Sequence, residues 1–187
     1  MIQGHPDAES FNYSLHRAYK EGAEASGHTV KEIFVGELSF ESNLKFGYRK
    51  RTELEPDLIK SQELIRWAEH IVLIHPVWWG SIPAVLKGFF DRTLLPGFAF
   101  QKRENSVWWD KLLVGKTAHI VSTLDQPSWY YKLVYRAPTD RALKHLTFKF
   151  CGISPVRITH IGPIRLSTVD YRTKWLERLK EMGRLGR

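Results

Sequence analysis

Cysteine is almost missing from this chain: Cys151 is the only one in 187 residues. An internal disulfide is therefore excluded, which fits a reducing compartment and a cytoplasmic protein. Cys151 reads as a small buried apolar residue rather than a reactive thiol. Long hydrophobic runs are missing too. The longest, Ile71 to Ile74, falls far short of the roughly 20 residues that cross a bilayer, so no membrane insertion is expected. No basic-then-apolar leader opens the sequence. Zinc-finger spacing, a Walker loop and a Gly-x-Gly-x-x-Gly turn are all absent, so no metal is expected and a dinucleotide fold of the usual kind is disfavoured. No repeat, low-complexity tract or linker divides residues 1–187, and 43% of them are hydrophobic. One domain with a sizeable core is expected.

Acidic residues are outnumbered. There are 28 Lys and Arg against 20 Asp and Glu, a formal charge of +8, with pI near 9.6. The cations are scattered, and only "YRKR" (48–51) and "QKR" (101–103) cluster. Without a recognition motif beside them, nucleic acid is not an expected partner. A diffuse positive field either attracts phosphorylated cofactors and anionic substrates or is simply a solvated surface.

What is present is an alternation of periods. Residues 10–26 carry apolar side chains at helical spacing, with Gly27 as a stop. "HTVKEIFV" (28–35) reads as a strand, and 36–56 as a long loop. Residues 56–70 read as a helix and "IVLIHPV" (71–77) as a fully buried strand; Pro83 sits in the first turn of a helix running to Arg92. Strands are expected at 116–123 and 155–162, and helices at 139–150 and 166–182. Ser167-x-x-Asp170 resembles a capping box for the last helix. This order implies a doubly wound parallel sheet of five strands with helices on both faces. The first strand is short, offering only Met1 and Ile2 before Gly4. The expectation is that Met1 lies inside that strand and that the natural reading frame starts several codons earlier.

Ligands of such sheets sit outside the carboxyl ends of the strands, where strand order reverses. The segments expected there are 4–12, 75–82 and 122–131. In "GHPDAESFN" (4–12), Gly4, His5, Ser10, Asn12 and the free amides of a helix start suit a phosphate; alternatively Ser10 only caps the helix and His5 packs on the strand end. In "HPVWWGSI" (75–82), Pro76 sets direction and Gly80 lets backbone N–H groups approach a ring edge. Adjacent Trp78 and Trp79 cannot both enter one core from an extended loop, so at least one lines a surface or cleft, where a flavin ring would stack; the alternative buries both against helices or a subunit. "STLDQPSWYY" (122–131) ends a strand with two hydroxyls and an aromatic trio. Tyr130 or Tyr131 there is either a hydrogen-bond donor to an oxyanion or part of a packing lid.

These stretches together resemble the flavodoxin-like NAD(P)H:quinone oxidoreductase family, in the branch containing DT-diaphorase, the bacterial drug-activity modulator and the potassium-efflux ancillary flavoproteins. "GHPDAESFNYSL" is similar to the family's His-Pro…Ser-Phe-Asn loop, and "HPVWWGSIPAVLKGFFDR" to its Pro-x-x-Trp…Pro-Ala-x-Leu-Lys-Gly-x-x-Asp/Glu-Arg signature. "GFAF" (97–100) falls where the family has Phe-Ala-Tyr, and Gln62 stands fourteen residues before Pro76, at the place of a flavin-contacting glutamine. The resemblance implies a flavodoxin-like fold. It also implies that His5, Ser10, Phe11, Asn12 and Gln62 meet a flavin's phosphate and ribityl chain. Pro76, Val77, Trp78, Trp79, Gly80, Ser122, Thr123, Leu124, Asp125 and Tyr130 would line its ring, with Phe98 and Phe100 on the substrate side, partly from the second subunit of a homodimer.

Two departures stand out. Ser122-Thr123-Leu124-Asp125 replaces the frequent Thr-Thr-Gly-Gly, and Arg136 stands six positions after Tyr130 where the mammalian enzymes have histidine. Tyr130 and Arg136 are the candidate catalytic residues; the arginine stabilises an anion but does not relay protons near neutral pH. The expected activity is ping-pong, two-electron hydride transfer from NAD(P)H through a flavin to a quinone or similar small-molecule acceptor. FMN is favoured over FAD because segments that contact adenine have no counterpart. A regulatory flavoprotein subunit, binding a membrane transporter through the 48–51 cluster, is the alternative.

Overall fold

The computed structural model describes residues 1–47, 49–50 and 52–186. Its main sheet is parallel and contains β1 (Ile2–Gln3), β2 (Ile33–Phe34), β3 (His70–Pro76), β6 (Thr117–Thr123) and β7 (Val156–Ile161) in the order β2-β1-β3-β6-β7. Counting only these five strands the order is 2-1-3-4-5, the flavodoxin-like winding. β4 (Phe100–Lys102) and β5 (Trp109–Lys111) form a separate antiparallel hairpin.

The apolar run of β3 at 71–74 and the unbroken burial of both β3 and β6 follow from cover on both faces. Along β3, Ile71 and Leu73 face one core while Val72 and Ile74 face the other. The first core is covered by α2 (Pro56–Trp67), α3 (Ala84–Thr93) and a helix spanning residues 138–151. The second is covered by α1 (Phe11–Ala25) and α7 (Val169–Arg184). Among the described residues no helix is long and apolar enough to cross a membrane.

Several boundaries differ from the expected ones. The strand expected at 28–35 shrinks to Ile33–Phe34, followed by a 3₁₀ turn at Val35–Glu37. Its only neighbour in the sheet is β1, itself two residues long, so there is no ladder for 28–32 to join. The helix expected at 139–150 has a π-helical middle: α5 (Pro138–Arg141), a π segment (Ala142–Phe148) and α6 (Lys149–Cys151), stopped by Gly152 at φ 106°. α7 is capped by the Thr168 hydroxyl, which accepts from the Tyr171 N–H at 3.2 Å. Ser167, expected to be the cap, instead donates to the Ile164 carbonyl and accepts from Arg172. The β4–β5 hairpin and α4 (Ser128–Leu133) are additional. Cys151 is buried, and burial pushes its thiol up to about 12, as suits an inert core residue.

Candidate active site

Three loops leave the carboxyl ends of β1, β3 and β6, and specific bonds draw them together. The rings of His5 and Trp78 meet edge-on at 5.3 Å. Asn12 donates through Nδ2 to the Thr123 hydroxyl at 3.0 Å, and the Val77 N–H donates to the Thr123 carbonyl at 2.9 Å. Gln3, fully buried in β1, ties the first loop to itself: its Oε1 accepts from the His5 N–H and its Nε2 donates to the Asn12 carbonyl. A polar residue in a central strand was the one sequence signal for that role.

The serine at the head of α1 is in an informative position. Ser10 is the N-cap residue, but its side chain makes no cap bond, and its Oγ is buried without a partner among the described residues. The amides of a first helical turn lack intrahelical acceptors. A buried hydroxyl with nothing to bond, beside such amides, suits an anionic oxygen. Phe11 opens the helix and lies under the Arg172 guanidinium at 5.7 Å.

Residues 78–81 form a tight reversal. Trp78 and Ser81 exchange two backbone hydrogen bonds of 2.9 Å, and both central residues are left-handed, Trp79 at φ 51° and Gly80 at φ 70°. This is the geometry of a type I′ turn. Trp78 is 44% exposed and Trp79 fully exposed, so neither indole is core. The Thr139 hydroxyl, from α5, pins the turn by donating to the Gly80 carbonyl at 2.7 Å; the Thr139 N–H donates in turn to the Tyr131 hydroxyl at 3.2 Å. Nothing local in the sequence marks Thr139 for this task, 59 residues away from Gly80.

The third loop is partly inward. Ser122, Thr123 and Leu124 are buried, with Ser122 turned to His75 and Thr123 to Asn12. Asp125 is exposed and accepts from the Arg165 N–H at 3.2 Å. Tyr130 stands half-buried, edge-on to Trp129 at 5.6 Å and to Tyr135 at 5.1 Å. Arg136 is exposed on a left-handed backbone at φ 57°. Phe100 shares a cavity of about 520 Å³ with Gly80, Ser81 and Leu146. Phe98 and Gln62 are not brought to this rim. Phe98 is core beside Arg66, because Leu95 and Ala99 turn its segment inward; Gln62 donates to the Thr93 carbonyl at the end of α3. Of the 48–51 cluster, Tyr48 and Arg51 lie outside the described residues.

His75 sits beneath the tryptophan turn with no exposure. Its Nδ1 lies 2.9 Å from the Pro76 carbonyl, which can only accept, so Nδ1 carries the proton and Nε2 accepts from Ser122 Oγ at 3.0 Å. Burial lowers its pKa to about 4; an unfolded histidine titrates near 6.5. Below pH 6.5 the unfolded chain therefore binds the extra proton, and stability present above that pH is lost as it falls toward 4. The expected contribution is about 3 kcal/mol. Urea midpoints should drop between pH 7 and pH 4.5, and His75→Gln should lessen the drop without abolishing it, because burial holds His16 and His70 near 4 as well; an unchanged drop in a folded His75→Gln protein would contradict the assignment.

The family model described as "Flavodoxin-like fold" matches residues 1–182. A ribosyldihydronicotinamide dehydrogenase-like protein of Penicillium crustosum is 30% identical over 149 residues, covering 66% of this chain and 56% of its own length. The ribosyldihydronicotinamide dehydrogenase [quinone] of Rattus norvegicus is 25% identical over 215 residues, covering 97% and 90%. A crystal structure of a Streptococcus mutans UA159 protein superposes with a TM-score of 0.84 at 27% identity, over 98% of this chain and 97% of that one. The chain belongs to the flavodoxin-like fold family, among the relatives of the NAD(P)H:quinone oxidoreductases.

Proposed function

We propose that this protein is a flavin-dependent NAD(P)H oxidoreductase whose acceptor is a quinone or a similar flat small molecule. The observation that carries this reading is the buried, partnerless Ser10 Oγ at the head of α1, on the same rim as two exposed indoles. Ser10, His5 and the first amides of α1 would hold the phosphate, with the helix dipole favouring its charge. Trp78, Trp79 and the backbone at Gly80 would line the ring system, and Asn12 and Thr123 hold the two loops in register. The flavin, when bound, supplies two-electron redox chemistry between NAD(P)H and the acceptor, which would occupy one open face in turn, as ping-pong kinetics require.

The chain's own groups set the electrostatics. The Tyr130 hydroxyl donates a hydrogen bond to developing negative charge, and Arg136, always cationic, adds attraction without moving a proton. Burial lowers the pKa of His5, even with Asp7 opposing it, so near neutral pH it serves as a neutral hydrogen-bonding group. FMN is favoured over FAD because the segments that contact adenine have no counterpart in the sequence. A homodimer would cover Trp79 and the exposed Leu146, and a cytoplasmic setting would keep Cys151 reduced.

The test is to denature the purified protein and record the absorbance and mass of what it releases. FMN or FAD at close to one per chain is expected, and Ser10→Ala should weaken flavin binding about 10-fold through one lost charge-assisted bond. Protein that takes up neither flavin after incubation would overturn the proposal.

A further inference from the structure

β7 closes one side of the main sheet, and among the described residues its outer side has no neighbouring strand. Its inner partners are fixed by register: the Ala118 N–H donates to the Pro155 carbonyl, and the Leu124 N–H to the Ile161 carbonyl. In a parallel strand the backbone groups of alternate residues point the same way. Residues 155, 157, 159 and 161 thus address β6, while the N–H and C=O groups of Val156, Ile158 and His160 point outward.

A cleft of about 740 Å³ runs along this edge. Residues 156–160 line it consecutively, together with helix residues from both layers, so it follows the edge instead of lying over one face. Lys132, Lys144, Arg157 and Arg178 surround it, and none of these four pairs with a carboxylate among the described residues. The two acids of the cleft are engaged: Asp140 accepts from His160 Nε2 at 2.9 Å, and Glu181 lies 3.5 Å from Arg184. His160 is 9% exposed, and its Nδ1 is buried with no partner among the described residues.

We propose that this edge docks an acidic, extended segment of a partner protein, which joins the sheet as an additional strand beyond β7. The free edge supplies the main-chain bonds that give such strand addition its affinity. The unpaired cations select the occupant. They repel a second copy of this +8 chain, as edge cations commonly do, and attract carboxylates spaced along a strand at roughly 6.6 Å, two residues apart. This docking calls on none of the residues assigned to the flavin, although one end of the cleft, at His160 and Asp140, adjoins the Tyr131 and Thr139 contacts that hold the tryptophan turn.

A fluorescent peptide of about eight residues, alternating glutamate and valine, tests it by anisotropy on the intact protein. Saturable binding is expected, with the Arg157→Glu/Arg178→Glu variant weaker by about 10-fold or more. Lys102→Glu/Lys111→Glu, the same charge change on the β4–β5 hairpin, should shift it less than about 3-fold. Hydrogen exchange should slow at the amides of Val156, Ile158 and His160 on peptide addition. Equal weakening by both variants, or an oligonucleotide that binds as well and leaves those amides unprotected, would reduce the effect to the general positive field and overturn the proposal. So would an unbound peptide.

Discussion

Gly22→Ala is expected to destabilise the protein by roughly 3 kcal/mol or more, the upper range for overpacking. Helix propensity alone argues the reverse, because alanine is better in a helix than glycine by about 1 kcal/mol. The crossing of α1 and α7 decides the sign. A Cβ on Gly22 would stand 1.8 Å from the Lys180 carbonyl oxygen, and one on Gly183 would stand 2.1 Å from the Tyr19 oxygen. Both obstacles are backbone atoms that cannot rotate aside, so the helices must separate and loosen the layer around Leu15, Tyr19 and Leu179. The two positions share one crossing. Gly22→Ala/Gly183→Ala should therefore cost less than the sum of the single changes. Urea denaturation with an unchanged slope checks both points, and a Gly22→Ala protein as stable as the parent would refute the packing argument.

Arg92→Met should cost about 3 kcal/mol and release the segment between β2 and α2. Arg92 is completely buried at the end of α3. Its Nη2 donates to Glu55 at 2.8 Å and to the Glu53 carbonyl at 2.9 Å, and its Nη1 to the Glu41 carbonyl. One side chain thus holds both ends of a long connection that has little regular structure of its own. Removing one member of a buried pair costs about 3–5 kcal/mol; the lower figure applies because the Glu55 side chain keeps 29% exposure. Arg92→Lys should recover only part of the loss, since an ammonium lacks the planar fork that serves three acceptors. Limited proteolysis is the readout: cleavage within 41–53 should accelerate for Arg92→Met and less so for Arg92→Lys. Unchanged cleavage would show that the connection is held by something else.

The sequence disclosed the elements whose burial is two-sided or strongly periodic. β3 and β6 announce themselves as apolar runs, and α1 by its spacing and by Gly27 at φ 84°. The exposure at Trp78 and Trp79 was legible for a steric reason, adjacent rings that one core cannot take, whereas the tight reversal that carries them was read as an extended loop. Illegible were features set by distant partners. β2 is short because β1 is, and the hairpin hides among the charged residues of "QKRENSVWWD". The π segment widens one helix without disturbing its apolar face, where Leu143 and Phe148 are buried. Within the site, Ser122 and Thr123 were expected to line the ring, whereas strand alternation turns their hydroxyls toward His75 and Asn12, 47 and 111 residues away. Phe98 was read from motif position alone, and its burial depends on how the segment after α3 folds back on Arg66.

The reversal that presents Trp79 has a kinetic corollary. Two cross-turn bonds and the Thr139 clamp already immobilise its backbone, so capture of the indole forfeits side-chain motion but little backbone motion. An occupant that covers such a ring, about 200 Å² of it, gains several kcal/mol from dehydration alone. Departure must wet that surface again, so the ring governs residence time far more than speed of arrival.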